Sequence, residues 1–179
     1  MKTLKKLALP VGGLVLLLVV LGMVPSGPSQ LTHTVTINAP LQEVYSTLLA
    51  IDNVNEWVVP VHEAHYVGNL KAVAGAEREC TLADGSVVRE TVVEALPNKL
   101  IRMRMTEHEL PVHFFEWDIA TEALSATETQ VTQHTRYHVK FGLLGSLLDG
   151  LVVKSDLDAT LSGAYQGLKN YVEQTPTQE

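Results

Sequence analysis

Residues 142–173 read GLLGSLLDGLVVKSDLDATLSGAYQGLKNYVE, and the length and apolar spacing of this stretch decide the fold class. Leu143, Leu144, Leu147, Leu148, Leu151 and Val152 recur at helical spacing, and Leu157, Leu161, Ala164, Leu168 and Tyr171 form a second stripe. At about 100° per residue the second stripe is rotated from the first, which predicts a kink or break near Lys154-Ser155. Ser155 or Asp156 would then cap the longer helix.

Upstream, the periodicity is that of strands. Residues 31–38 alternate and are rich in β-branched side chains, placing His33, Val35 and Ile37 on one face. Strand-like runs follow at about 61–69, 75–82, 86–95, 99–107, 113–120 and 129–140, with turn signals at Asp84-Gly85, Pro97-Asn98 and the Ser/Thr-rich stretch 125–129. Before them, Pro40 opens a short amphipathic helix carrying Val44, Tyr45, Leu48 and Leu49. A second short helical or turn segment covers Asp52 to Val58. The order predicts an antiparallel meander. Only the last helix can bury the concave face of such a sheet, giving an α+β fold: about seven curved antiparallel strands wrapped around a long C-terminal helix, with a space between them. A lipocalin-like barrel is the competing fold, disfavoured because the last helix is too long and too apolar for an external appendage.

The amino terminus carries a different signal. Leu7 to Val24 is 18 residues without a charge, preceded by Lys2, Lys5 and Lys6 and followed by Pro25-Ser26-Gly27-Pro28. As a helix it would reach about 27 Å, close to the roughly 30 Å hydrocarbon core of a bilayer. A cleaved signal peptide has the same grammar, and a buried hairpin helix is the third reading, disfavoured by the Pro/Gly linker. The expected organisation is an anchor or signal segment over 1–24, a linker over 25–30, one domain over 31–174 and a frayed tail over 175–179. The positive-inside tendency puts the N-terminus in the cytoplasm and the domain on the periplasmic or extracytoplasmic side, or outside the cell if the leader is removed.

Charge and cysteine content exclude several classes. The formal net charge is −7, and residues 1–30 hold three lysines and no acid, so ten basic residues face twenty acidic ones in the rest, a net −10. That balance gives no electrostatic footprint for nucleic acid or for adsorption to anionic headgroups. Cys80, the single cysteine, rules out an internal disulfide and multi-cysteine metal sites.

The candidate chemistry is sparse. His62 and His65 fall on opposite faces of a strand, and His134 and His138 lie about 13 Å apart along one, too far to share an ion unaided. No metal site and no cofactor are called for. No Gly-x-Ser-x-Gly elbow or phosphate-binding glycine pattern occurs, and Cys80 reads as a buried small hydrophobe. His134, Arg136, His138 and Lys140 share an outward parity, as do Glu116 and Asp118. The inward set is Trp57, Met103, Met105, Phe115, Trp117, Tyr137, Leu148, Leu151, Leu161 and Tyr165, either as walls of a ligand pocket or as packing of a dry core. Glu90, Arg102 and His113 are possible polar pocket residues, with a surface ion pair the competing reading for Glu90 and Arg102 or Arg104.

Ile37-Asn38-Ala39-Pro40, then Val44-Tyr45-Ser46-Thr47-Leu48, Asp52, Trp57 and Pro60 resemble the opening of the START-like or SRPBCC superfamily of polyketide cyclase/dehydrase and lipid-transport proteins. Gly75-Ala76-Glu77-Arg78, the run Glu90 to Pro97, Gly142-Leu143-Leu144-Gly145 and Gly167–Glu173 add to the likeness over about residues 31–174. The resemblance implies a helix-grip fold with a pocket between sheet and long helix, binding lipids, sterols, polyketides or other apolar molecules; it transfers no catalytic motif. The resulting expectation is a membrane-tethered binding protein for an apolar or amphipathic, lipid-like molecule, with no nucleic-acid partner. Alternatives are a cyclase or aromatase-type enzyme using Glu90, His113 or Tyr137 in the same pocket, and a protein-interaction module. Oligomeric state is not legible.

Overall fold

The computed structural model describes residues 2–50 and 53–174, with side chains from residue 12 onward. Asp52 and the tail 175–179 lie outside the described residues. An N-terminal helix α1 (Lys2–Met23) precedes β1 (Ser29–Ile37), α2 (Leu41–Leu49) and a 3-10 turn (Val54–Glu56). Six strands follow: β2 (Val61–Val67), β3 (Glu77–Leu82), β4 (Val87–Leu96), β5 (Leu100–Glu107), β6 (Val112–Ala123) and β7 (Thr129–Val139). The chain ends in α3 (Gly142–Leu148), a π-helical segment (Asp149–Val153) and α4 (Lys154–Gln174). All seven strands form one antiparallel sheet in the order β1-β7-β6-β5-β4-β3-β2. The meander thus runs from β2 to β7, and β1 closes on β7.

Local chemistry explains the turns. Asp84 and Gly85 make the β3–β4 hairpin: Gly85 sits at φ 85°, and Asp84 Oδ1 accepts from the backbone N–H of Ser86 at 2.9 Å. Asn98 takes the left-handed position, φ 57°, between β4 and β5. Pro40, extended at φ −60° and ψ 145°, stands just before α2, and its carbonyl receives the Glu43 and Val44 N–H groups.

The core sits where α2 and α4 meet the concave face. Ile37, Val44, Ile101, Val131 and Leu168 are almost wholly inaccessible there. The end of β1 is tied to the last turn of α4: Glu173 accepts from the Asn38 backbone and side-chain N–H groups, each at 2.7 Å, and from Lys169 Nζ at 2.8 Å. Those bonds lower the Glu173 carboxyl pKa, the Lys169 contribution being the largest.

The expected break near Lys154-Ser155 is absent. Residues 142–174 form one continuous helix, with a π segment of wider i→i+5 turns in place of a break, and the two apolar stripes stay on different faces. Neither Ser155 nor Asp156 caps anything, because both lie within an unbroken helix.

Two glycines of α4 make opposite demands. A Cβ on Gly167 would overlap the carbonyl oxygen of Trp57, so glycine here permits the 3-10 segment to lie against the helix; Gly163 faces open space. Gly163→Ala should raise stability by up to about 1 kcal/mol through helix propensity. Gly167→Ala should lower it by about 1–3 kcal/mol through overpacking. Urea midpoints at constant slope read both signs; a gain at position 167 would show that Trp57 is not held there.

Candidate functional site

Between sheet and helix lies a cavity of about 270 Å³. Its floor comes from alternate residues of adjacent strands: Arg78, Cys80 and Leu82 of β3, Val88, Glu90 and Val92 of β4, Ile101, Met103 and Met105 of β5, and Phe115, Trp117 and Ile119 of β6. Inward residues recur at i, i+2 because a pleated strand turns every second side chain to the same face. Leu157, Thr160, Leu161, Ala164 and Tyr165 of α4 form the roof, and Leu48, Val54, Trp57 and Pro60 close one end. Phe115 and Trp117 meet edge to face, with ring centroids 5.8 Å apart.

The apolar wall carries a few polar groups. The Arg78 guanidinium donates from Nε to Glu90 Oε2, with side-chain exposures of 14% and 11%. Burial alone would drive the Arg78 pKa down; the charge and hydrogen bond of Glu90 more than offset it, and the group stays cationic with a raised value. No hydrogen bond links its two Nη groups to any described residue. On the opposite side, the buried Tyr165 hydroxyl donates to Gln133 Oε1, and Gln133 Nε2 donates to Thr135 Oγ1 at 2.6 Å. Trp57 Nε1 is buried without a partner among the described residues. Burial pushes the Cys80 thiol from 9.0 to about 12 and raises the Tyr165 phenol, so neither is a nucleophile at neutral pH.

Of the residues singled out from the sequence, the cavity brings together Trp57, Met103, Met105, Phe115, Trp117, Leu161, Tyr165 and Glu90. Five lie elsewhere. Tyr137 faces inward but beyond Phe115, on which it stacks, and donates its hydroxyl to Asp149 Oδ1 at 2.7 Å. Leu148 and Leu151 point to solvent, 52% and 75% exposed, because Asp149 takes the inward position at that turn. Arg102 lies on the outer face, bridging Glu94 and Asp118 at 2.8 Å each, as its neighbour Met103 faces in. His113 is exposed beside His138, on the side to which a bulge between Val112 and Phe114 turns it. Arg78, Gln133 and Thr160 are cavity residues that the sequence reading did not single out. Among the described residues no group of three or more His, Cys, Asp or Glu side chains is placed to hold a metal ion.

The outer face is held by paired charges. Glu116 accepts from Arg136 at 2.7 Å, and Arg89 bridges Glu79 and Glu107 at 3.0 Å each. His33 turns inward against Asp158 of α4 at 3.0 Å.

Comparison with known proteins agrees with this architecture. Residues 29–173 match the family model described as polyketide cyclase / dehydrase and lipid transport, and the chain belongs to that family. A START superfamily protein from Mycobacterium smegmatis superposes with a TM-score of 0.67 at 16% identity, covering 83% of this chain and 99% of that one. Norcoclaurine synthase from Thalictrum flavum gives 0.64 at 14% identity over 86% and 99% of the two chains. The Zhui aromatase/cyclase from Streptomyces sp. R1128 gives 0.59 at 14% over 81% and 96%. At these identities the likeness is one of fold. No curated protein matches the chain.

The buried pair can be dissected. Arg78→Met should cost about 3 kcal/mol, since it leaves the Glu90 carboxylate unpaired in an apolar wall; Arg78→Met/Glu90→Leu should return to within about 1 kcal/mol of the parent. Denaturant unfolding of both single variants and the double measures the coupling, and additive losses would show that the charges do not interact. Cys80 makes a separate prediction. Its folded pKa lies above the unfolded value, so the folded state holds the proton longer: its contribution is intact below pH 9.0 and falls away as pH rises toward about 12. Cys80→Ala should flatten that part of the alkaline stability profile.

Proposed function

We propose that this chain binds an amphipathic small molecule, its apolar body in the cavity between sheet and α4 and its hydrogen-bond-accepting end at Arg78. The observation that carries the reading is the cavity's composition: aliphatic, methionine and aromatic walls around one guanidinium whose Nη groups have no described partner. Affinity would come from apolar surface removed from water, at about 25 cal/mol per Å². A charged donor in so dry a wall would fix the orientation of the polar end. Membership of a family described by polyketide cyclisation and lipid transport supports a hydrophobic small molecule as the class of ligand.

An enzymatic role has weaker support. Two of the superposable proteins are an aromatase/cyclase and norcoclaurine synthase. Here, however, Glu90 is engaged by Arg78, Tyr165 and Cys80 hold their protons, and His113 lies outside the cavity.

We further propose that residues 7–24 hold the domain at a membrane, with its folded part on the extracytoplasmic side. Among the described residues no helix is long and apolar enough to cross a membrane. What supports the tether is the sequence: an uncharged 18-residue stretch from Leu7 to Val24, behind three lysines.

Displacement of an apolar fluorescent probe tests the binding reading. A long-chain fatty acid should displace it more strongly than the matching alkane, and Arg78→Met/Glu90→Leu should lose that preference by about 10-fold or more while still binding the probe. Leu161→Trp, which fills the cavity, should abolish probe binding. A parent protein that binds no apolar probe would overturn the proposal.

A further inference from the structure

The helix from Gly142 to Val153 has its polarity reversed. Asp149 is the buried residue, 3% exposed, while Leu147, Leu148, Leu151 and Val152 around it are 52–75% exposed. Asp149 is held inward by two donors, the Tyr137 hydroxyl at 2.7 Å and the Ser29 hydroxyl. With the carboxylate facing the protein, the leucines on the remaining sides are turned out. A helix lying on water shows the opposite arrangement.

Three further observations say what covers this surface. The C-terminal end of α1 is fastened to it: the Leu143 N–H donates to the Val24 carbonyl at 3.0 Å, and Gly142, at φ 53°, lies so close that a Cβ would meet Gly22 and Val24. The exposed apolar side chains of α1, Leu14 to Val20, therefore share one end of the molecule with the exposed leucines of α3 and the π segment. That end is where β1 begins and β7 finishes, because Ser29 pairs with Tyr137. The other end, where Ile37 pairs with Thr129, is about 26 Å away along β1. Finally, Lys140 and Lys154 bracket the patch, both exposed, and the one acid between them is the buried Asp149. Within residues 140–154 the exposed charges are the two lysines; the exposed acids Asp156 and Asp158 follow on the next turn of the helix.

We infer that residues 141–153 are a second membrane contact, lying in the interface of a phospholipid bilayer beside α1, with Phe141, Leu147, Leu148, Leu151 and Val152 among the acyl chains and Lys140 and Lys154 at the phosphates. This rests on the reading of residues 7–24 as a membrane tether. An inserted apolar face and snorkelling lysines are the usual pattern of an interfacial helix, reaching about 5–10 Å into the headgroup boundary. Since the domain is acidic, attachment through this face depends on apolar insertion and holds on zwitterionic lipid.

The test uses the full chain reconstituted in phosphatidylcholine vesicles, with a fluorophore at one introduced cysteine: Leu18→Cys in α1, Leu151→Cys in the patch, or Leu124→Cys at the far end of the sheet. Cys80, 2% exposed, leaves the unsubstituted chain as a labelling blank. Acyl-chain nitroxide lipids should quench positions 18 and 151 several-fold more than 124. Quenching at 18 with 151 as little affected as 124 overturns this inference and spares the tether. No quenching at 18 overturns both. Disulfide cross-linking between two copies at 151, with no quenching there, overturns it in favour of a second copy of this chain. Probe displacement from the cavity, read on the same labelled proteins, reports the binding proposal separately.

Discussion

One helix has to cover the concave face of a seven-stranded sheet. Six inter-strand spacings make the sheet about 29 Å across, and a helix with its side chains is about 10–12 Å thick. Curvature narrows the difference without removing it. At the β1–β7 side the remaining width is filled by α2 and the residues around Ile37, Val44 and Leu168. Toward β3, β4 and β5 the described residues supply no second helix, and the side chains there line a cavity instead of meeting across it. Gly167, pressed against the Trp57 carbonyl, brings the 3-10 segment in as the end wall.

The polar groups in that cavity follow from the same shortage of cover. An arginine on an inward position of β3 keeps little contact with water, so most of its charge is met inside. Glu90, directly across the β3–β4 ladder from Arg78, meets it. Such a pair contributes little net stability, because desolvating two ions offsets most of their attraction, whereas losing one partner is expensive. Its value lies in what remains: a fixed cationic donor in an environment where few solvent molecules compete for it. The Tyr165–Gln133–Thr135 chain, by contrast, satisfies itself and offers the cavity mainly apolar surface.

The fold was legible because its signals are periodic. Alternation in 31–38 and in the later runs marks strands, Asp84-Gly85 and Pro97-Asn98 mark turns, and with Leu7–Val24 set apart by its Pro/Gly linker one long apolar stretch was left to roof the sheet. The cavity was legible only in part. Arg78 shares parity with Cys80 and Leu82, so its inward direction was readable, but a charge on a strand is ordinarily outward and its partner across the ladder depends on register. Arg102 illustrates the converse: with Met103 inward, a pleated strand must turn it out. His113 was lost to a bulge between Val112 and Phe114, which changes which face a residue takes and leaves no mark in the pattern of residue types. Leu148 and Leu151 were lost to the π segment, whose wider turns rotate the first apolar stripe away from the sheet.

That rotation is set by hydrogen bonding at Asp149, and it decides where the apolar surplus of the C-terminal helix goes. A buried carboxylate requires donors, and Tyr137 and Ser29 supply them only if Asp149 occupies the inward position. Burying a leucine from water is worth about 1.5–3 kcal/mol, so a helix in water would gain by turning Leu148 or Leu151 inward and Asp149 out. The observed arrangement forgoes that gain at several residues at once. Covering the outward leucines would recover that gain, and the neighbouring α1 presents the same kind of surface at the same end of the molecule. Beyond Val153 the helix recovers ordinary amphipathicity, with Ala164, Tyr165, Leu168 and Val172 buried. One continuous helix thus carries two opposite polarities, and the change between them falls at the π turn.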